Sequence, residues 1–273
     1  MTATLTPHFT VTDDELQVIA SLVGIQALPV VLGVRPRHRT ETAFVAAVDH
    51  ATRALTDRGL ICDGELTPEL APLLGALQRP DREFAMRVVT PDGPARVAIV
   101  RQGQRCISAR RIGNEISLEI LENGGGLASQ NQAVGALLRH LPVSSAADIA
   151  AVGAPLDAVS QALSGTHDAA LLSDRIRALG AEARTAMLLG SALASRLAFA
   201  EIVYYVLDRD EDRISRCPAA VGVFYTKRGR IVGAPSASPS GQLWATIKAG
   251  SDHTIKQAIG QLVELSTDRW EES

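Results

Sequence analysis

Lysine, aromatics and cysteine are all scarce in this 273-residue chain, and each shortage excludes something. Only three of its 27 basic residues are lysines, Lys227, Lys248 and Lys256, yet the net charge is close to balance at −3. The balance is even along the chain, −1 over residues 1–140 and −2 over residues 141–273. Neither half therefore has the basic excess that holds nucleic acid or an anionic membrane surface. Aromatics make up 4% of the residues, too few for base-stacking platforms. Cys62, Cys106 and Cys217 are odd in number and share no short spacing, which argues against a disulfide framework or a zinc site and fits a reducing compartment. Long apolar runs are missing too. Arg139, His140, Asp148 and Asp157 interrupt the longest one, so no span of about 20 apolar residues can cross a bilayer. Met1 to Thr12 lacks a basic stretch followed by an apolar core, so no secretory signal is read there and a cytoplasmic protein is expected.

Signatures of chemistry are as sparse as those residue types. Gly124-Gly125-Gly126-Leu127-Ala128-Ser129 imitates a dinucleotide fingerprint, but Ser replaces the third glycine and no strand-helix-acid context surrounds it. Asp208, Asp210 and Asp212 open like a calcium loop, yet Arg213 stands where glycine must turn the chain and Ala219 where a bidentate Glu is needed. Ser251-Asp252-His253 carries the letters of a hydrolytic triad in a contiguous order that the geometry forbids, and helix capping accounts for Ser251 and Asp252. The other histidines have no metal-ligand spacing, and Cys106 and Cys217 read as buried small apolar groups. No catalytic residue, metal site or cofactor is expected.

What the chain does have is a folded core, 46% hydrophobic, and an internal echo. Leu73-Leu74-Gly75 through Phe84-Ala85 is matched without a gap by Leu188-Leu189-Gly190 through Phe199-Ala200, at a constant offset of 115. After each copy the order helix, strand, hairpin, hairpin recurs. This predicts a single domain over residues 1–273 built from two related halves, 1–140 and 141–273. Thr12-Asp13-Asp14-Glu15 is a capping box before a helix. Thr67-Pro68 reads as the start of a helix through Leu77. Strands are expected at 83–89, 96–101, 105–110 and 115–121, joined by Pro91-Asp92-Gly93-Pro94, Gln102-Gly103 and Gly113-Asn114 turns. In the second half, helices are expected near 169–179 and 181–194, and strands near 198–207, 219–226, 230–234 and 242–247. Ser251 caps a last helix carrying Ile255, Ile259, Leu262 and Val263. Residues 141–165 are Ala, Ser and Pro rich and hold one short helix after Pro155.

Several stretches resemble the EspG family, the ESX (type VII) secretion-associated proteins of actinobacteria. They are Arg58-Gly59-Leu60 with Thr67-Pro68-Glu69-Leu70, then Leu77-Gln78-Arg79-Pro80-Asp81-Arg82-Glu83. The second half adds Arg228-Gly229-Arg230-Ile231-Val232, Ser236 to Gln242 with Trp244, and Gly250-Ser251-Asp252-His253. The resemblance implies an α+β fold, an antiparallel β-sheet with helical bundles in two quasi-twofold related halves. It also implies a cytosolic chaperone that binds the PPE protein of a PE-PPE heterodimer, keeps it soluble and directs it to the secretion machinery. The binding surface it implies is the sheet, the loop here at 90–95, and helices within 169–194. The candidate contact residues are accordingly Pro91, Asp92, Gly93, Leu171, Leu172, Met187 and Leu188. Two other classes stay open: a small-molecule hydrolase with an unrecognised site, and a scaffold that self-associates through sheet edges, a homodimer included.

Overall fold

One antiparallel sheet of eleven strands runs through the whole of the computed structural model, which describes residues 8–121, 129–208 and 212–271. The first half comprises β1 (His8–Thr12), α1 (Asp13–Leu22), a 3-10 turn at Val30–Leu32, α2 (Glu41–Asp57), a small hairpin of β2 (Ile61–Cys62) and β3 (Glu65–Leu66), and α3 (Ala71–Gln78). A meander of β4 (Arg82–Thr90), β5 (Gly93–Gln102), β6 (Arg105–Ile112) and β7 (Glu115–Ile120) follows, then α4 (Gln130–Arg139). The second half begins with β8 (Val152–Pro155), α5 (Leu156–Leu163), α6 (Ala169–Ala178) and α7 (Ala183–Ala194). It continues with β9 (Ala198–Asp208), β10 (Arg213–Arg216), β11 (Val221–Thr226), β12 (Gly229–Ala237), β13 (Leu243–Ala249) and α8 (Asp252–Glu264). This is the expected α+β architecture.

The order across the sheet is β1-β7-β6-β5-β4-β9-β11-β12-β13-β8, so each half contributes a block and the blocks meet at β4 and β9. That joint pairs Arg82 with Val206 through Val89 with Phe199. β10 extends the β11 edge of β9, pairing residues 205–208 while β11 pairs residues 198–202, with Cys217-Pro218 at the break. Read outward from the joint, a strand that follows a helix, three meander strands and a short edge strand succeed one another on both sides.

Strand side chains alternate between faces. Phe84, Met86 and Val88 point to the same side as Ala200, Ile202, Tyr204 and Val206, into a core closed by α4, α8 and Trp270. The other face carries two separate cores. Val100, Ile107, Ile116 and Leu118 pack under α1, α2 and α3, and Ile231, Ala245 and Ile247 pack under α5, α6 and α7. The alternation corrects the internal echo. An offset of 115 is odd, so it matches Phe84 on the first face with Phe199 on the second, and a rotation that exchanges two antiparallel neighbours cannot do that. α3 and α7 end at Gln78 and Ala194, and β4 and β9 begin at Arg82 and Ala198, a shift of 116 at both junctions. An even shift keeps the faces. The gapless match is one residue out of structural register.

Local chemistry accounts for most element boundaries. Thr12 accepts from Glu15 N while Glu15 accepts from Thr12 N, the expected capping box at α1. Ser129 and Gln132 build a second one at α4. Thr67-Pro68 does not start a helix. Thr67 O accepts from Leu70 N in a turn, and α3 begins at Ala71 with Pro72 in its first turn, so the proline rule holds one turn later. The glycine-rich run at 124–126 and Asp210 lie outside the described residues. Asp212 adopts a left-handed backbone at φ 48° and reaches Arg79 at 2.5 Å.

The chain's last described turn supports the central joint. Trp270 is fully buried and stacks on Phe84 at 4.7 Å between centroids with planes 8° apart, and Tyr204 lies 5.1 Å from the same Phe84 ring. Trp270→Ala should lower unfolding stability by about 3–5 kcal/mol. Urea titration checks this; an unchanged midpoint would show that the indole is not part of the core.

Candidate partner-binding surface

The hairpin turn between β4 and β5 is only two residues long. Pro91 and Asp92 are exposed at its tip, Gly93 follows at φ 118°, and Thr90 Oγ1 donates to Gly93 O at 3.1 Å. The expected loop over 90–95 is therefore mostly strand, and its reach is confined to the Pro91-Asp92 tip. On the helices, Leu171 and Met187 are exposed, at 42% and 67%, and Leu188 is half-buried. Leu172 is corrected: at 1% exposed it belongs to the core under α5–α7, since it lies one position round the helix from Leu171 and so faces inward. The α6–α7 pair is tightly seated. A side chain on Gly190 would meet the Ser173 backbone N and the Ala169 O at 2.7 and 2.8 Å, so only glycine permits that approach.

Between the two cores of the second face, β4 and β9 carry a strip that is buried at Glu83, Ala85 and Val203 and opens towards Val89, and Phe224 at its β11 margin packs against the second-half core. Its edge beside the Pro91 turn is an apolar row set by strand register: Val89 lies opposite Phe199, and Phe199 opposite Phe224. Val89 is 41% exposed, the two rings are half-buried with centroids 5.0 Å apart, and Leu197 is exposed just before β9. Sequence reading missed this row, because its members come from three strands and meet only through pairing. Further along, Arg87 faces Glu201 across the joint, and Arg216 approaches Glu201 at 3.8 Å. At the far end, Glu83 and Tyr205 share an apolar recess of about 200 Å³ with Leu28, Leu77, Pro80 and Ile214. Burial pushes the Glu83 carboxyl up to about 7.

Nothing in this geometry assembles a reaction centre among the described residues. Ser251 Oγ accepts from Thr254 N, and Asp252 pairs with Arg230, so both serve α8 and the sheet. Cys106 and Cys217 are buried, and burial pushes the Cys106 thiol up to about 12. Among the described residues, no group of three or more His, Cys, Asp and Glu side chains is placed to hold a metal ion, and no helix is long and apolar enough to cross a membrane.

The EspG family model matches residues 12–261, from the cap of α1 into α8. The chain belongs to the EspG family. Among its EspG relatives, the ESX-1 secretion-associated protein EspG1 of Mycobacterium marinum is 27% identical, over 93% of this chain and 87% of that protein. The ESX-5 secretion-associated protein EspG5 of the same species is 25% identical over 81% of this chain and 70% of its own length. A solved structure of the Mycobacterium tuberculosis type VII secretion system chaperone EspG5, in complex with the PE25-PPE41 dimer, shares the EspG fold. Its TM-score is 0.81 at 18% identity, covering 97% of this chain and 99% of that one.

The motifs that carried the EspG resemblance turn out to hold the sheet together. Arg230 is buried, donates from Nε to Gly250 O at 2.6 Å and pairs with Asp252. Gly229 has φ 110° and would collide with the Ala147 backbone if it bore a side chain. Asp81 accepts from Gly103 N at 2.7 Å, and its carbonyl takes the Leu207 N–H. These residues join the end of β4 to β5 and β9, and β12 to α8.

Glu83 gives a pH test. The folded carboxyl holds its proton more tightly than the unfolded one, whose ordinary value is 4.5. Its contribution to stability is thus complete below about pH 4.5 and is lost by about pH 7, roughly 3 kcal/mol in all. His140 acts the other way, since burial and then Arg110 and Arg139 lower it to about 4, and stability falls as pH drops below 6.5. Glu83→Gln should gain on the parent chain at pH 8 but not at pH 4.5. Chemical denaturation at the two pH values measures the difference, and equal gains at both would refute the assignment.

Proposed function

We propose that this protein is a cytosolic chaperone that binds the PPE protein of a PE-PPE heterodimer, keeps it soluble and directs it to a type VII (ESX) secretion system. It acts by covering surface, without catalysis. The observation that carries this reading is the apolar row Val89–Phe199–Phe224, exposed at Val89 and seated on the α5–α7 core at Phe224, on an EspG fold that also exposes the Pro91-Asp92 tip and Leu171 and Met187. A secreted helical protein with an apolar tip needs such a cover before export, and no chemistry has to happen to it. A few anchors should dominate the affinity. The contact set is Pro91, Asp92, Gly93, Leu171, Met187 and Leu188 joined by Val89 and Phe199; Leu172 only supports it.

The same reading treats the chain as one domain whose halves, 1–140 and 141–273, are copies related by an axis through the β4–β9 joint. The strand order supports this.

Charge insertion separates binding from folding. Met187→Asp and Val89→Asp, both at exposed positions, should weaken capture of a PE-PPE pair at least tenfold in a pull-down and leave the melting temperature within about 2 °C. Leu172→Asp should unfold the chain, because it buries a charge in the core. Capture by the parent chain should survive moderate salt, as desolvated apolar contacts do. Normal capture by folded Met187→Asp and Val89→Asp proteins would reject the surface. Failure of the parent chain to capture any PPE protein of its own genome would reject the function.

A further inference from the structure

Three arginines face one another in a row across the sheet. Arg87 on β4 lies directly opposite Arg96 on β5, and Arg96 directly opposite Arg111 on β6, all on the second face. Side chains so paired have their Cβ atoms only about 5 Å apart, and like charges there repel. Arg35 and Arg37 enter the same place from the segment after the 3-10 turn. Arg35, Arg37, Arg96 and Arg111, with Gly33, Pro94 and Gly113, line a cavity of about 400 Å³.

The arginines are arranged by the protein rather than crowded by chance. Arg111 is 6% exposed at the base, where it donates to Leu32 O and Gly33 O at 2.8 and 2.9 Å, to Gly113 O at 2.9 Å and to Asp13 Oδ2 at 2.5 Å. Arg37 also pairs with Asp13 and donates to Asn114. Gly33, at φ 60°, lets the Arg96 guanidinium lie where any side chain would collide with it. Arg96 Nη1 donates to Val31 O at 3.5 Å, and Arg96 lines the cavity. Asp13 is the one carboxylate in contact with these guanidiniums among the described residues, and it is already shared by two of them. Four cations therefore meet one anion in a concave, partly desolvated site.

We propose that this cavity is a binding site for a phosphate or diphosphate group, whether free or carried on a larger molecule. Planar guanidinium forks grip tetrahedral oxyanions through paired N–H donors, and an oxyanion there removes the repulsion built into the ladder. The size of the site, about 400 Å³, favours a small group over an extended acidic peptide.

Thermal melts of the full-length chain, alone, test this with inorganic diphosphate, ADP, a tetraglutamate peptide and sodium chloride at matched ionic strength. Diphosphate at about a hundredfold excess over its Kd should raise the melting temperature by roughly 5–10 °C beyond chloride. An equal effect of ADP identifies a carried phosphate as a ligand, and an effect of diphosphate alone identifies the free ion. Arg96→Gln should melt no lower than the parent chain at low salt, because the ladder is relieved, and should lose most of the diphosphate shift. Arg35→Gln, at an exposed side chain, keeps the test valid if the first variant does not fold, and should at least halve the shift. No shift beyond chloride, an undiminished shift in the folded variants, or a shift with the peptide only would overturn the proposal.

Discussion

The hydrogen-bonded joint between β4 and β9 is the constraint on which the rest depends. It turns a five-strand and a six-strand block into one sheet, and both faces are organised around it. On the first face it gathers Phe84, Tyr204 and Trp270 into a single core shared by the halves. On the second face the two helical groups stop short of it, which leaves Val89 and Arg87 exposed and Phe199 half-buried. One set of backbone bonds therefore closes the molecule and also frames the candidate surface.

Much of the fold was legible wherever the signal is local. The Thr12 capping box, the Gly93, Gly103 and Gly113 turns and the stripe of Ile255, Ile259, Leu262 and Val263 all read directly, because each depends on residues within a few positions. β1 and β8 did not read, since each is short and is called into being by a partner far along the chain: Val11 by Ile116, and Ala154 by Ala245. The echo at 115 misled for a related reason. Abundant Leu and Ala align easily in one dimension, while the pleat tolerates only an even shift.

The candidate surface was legible only in outline. Met187 and Leu171 followed from the helices that the EspG resemblance implied, but Leu172 went to the core because neighbouring helix positions point in different directions. The Val89–Phe199–Phe224 row and the Arg87–Arg96–Arg111 ladder depend on cross-strand register, which no spacing in the sequence reveals. Some of the EspG motifs, conversely, hold clamps at sheet corners, as with Arg230 on Gly250 and Asp81 on Gly103.

The wide separation of β4 from β9 along the chain also sets the order of events during synthesis. Val89 waits for Phe199 and Arg82 for Val206, so the β4 edge leaves the ribosome roughly 110–125 residues before its partner. At 5–20 residues per second that interval is about 5–25 s. Throughout it the N-terminal block carries a nine-residue unpaired edge, Arg82–Thr90, rich in apolar side chains. A chain proposed to cover a client's apolar surface thus itself passes, while being made, through a stage with an open edge of its own.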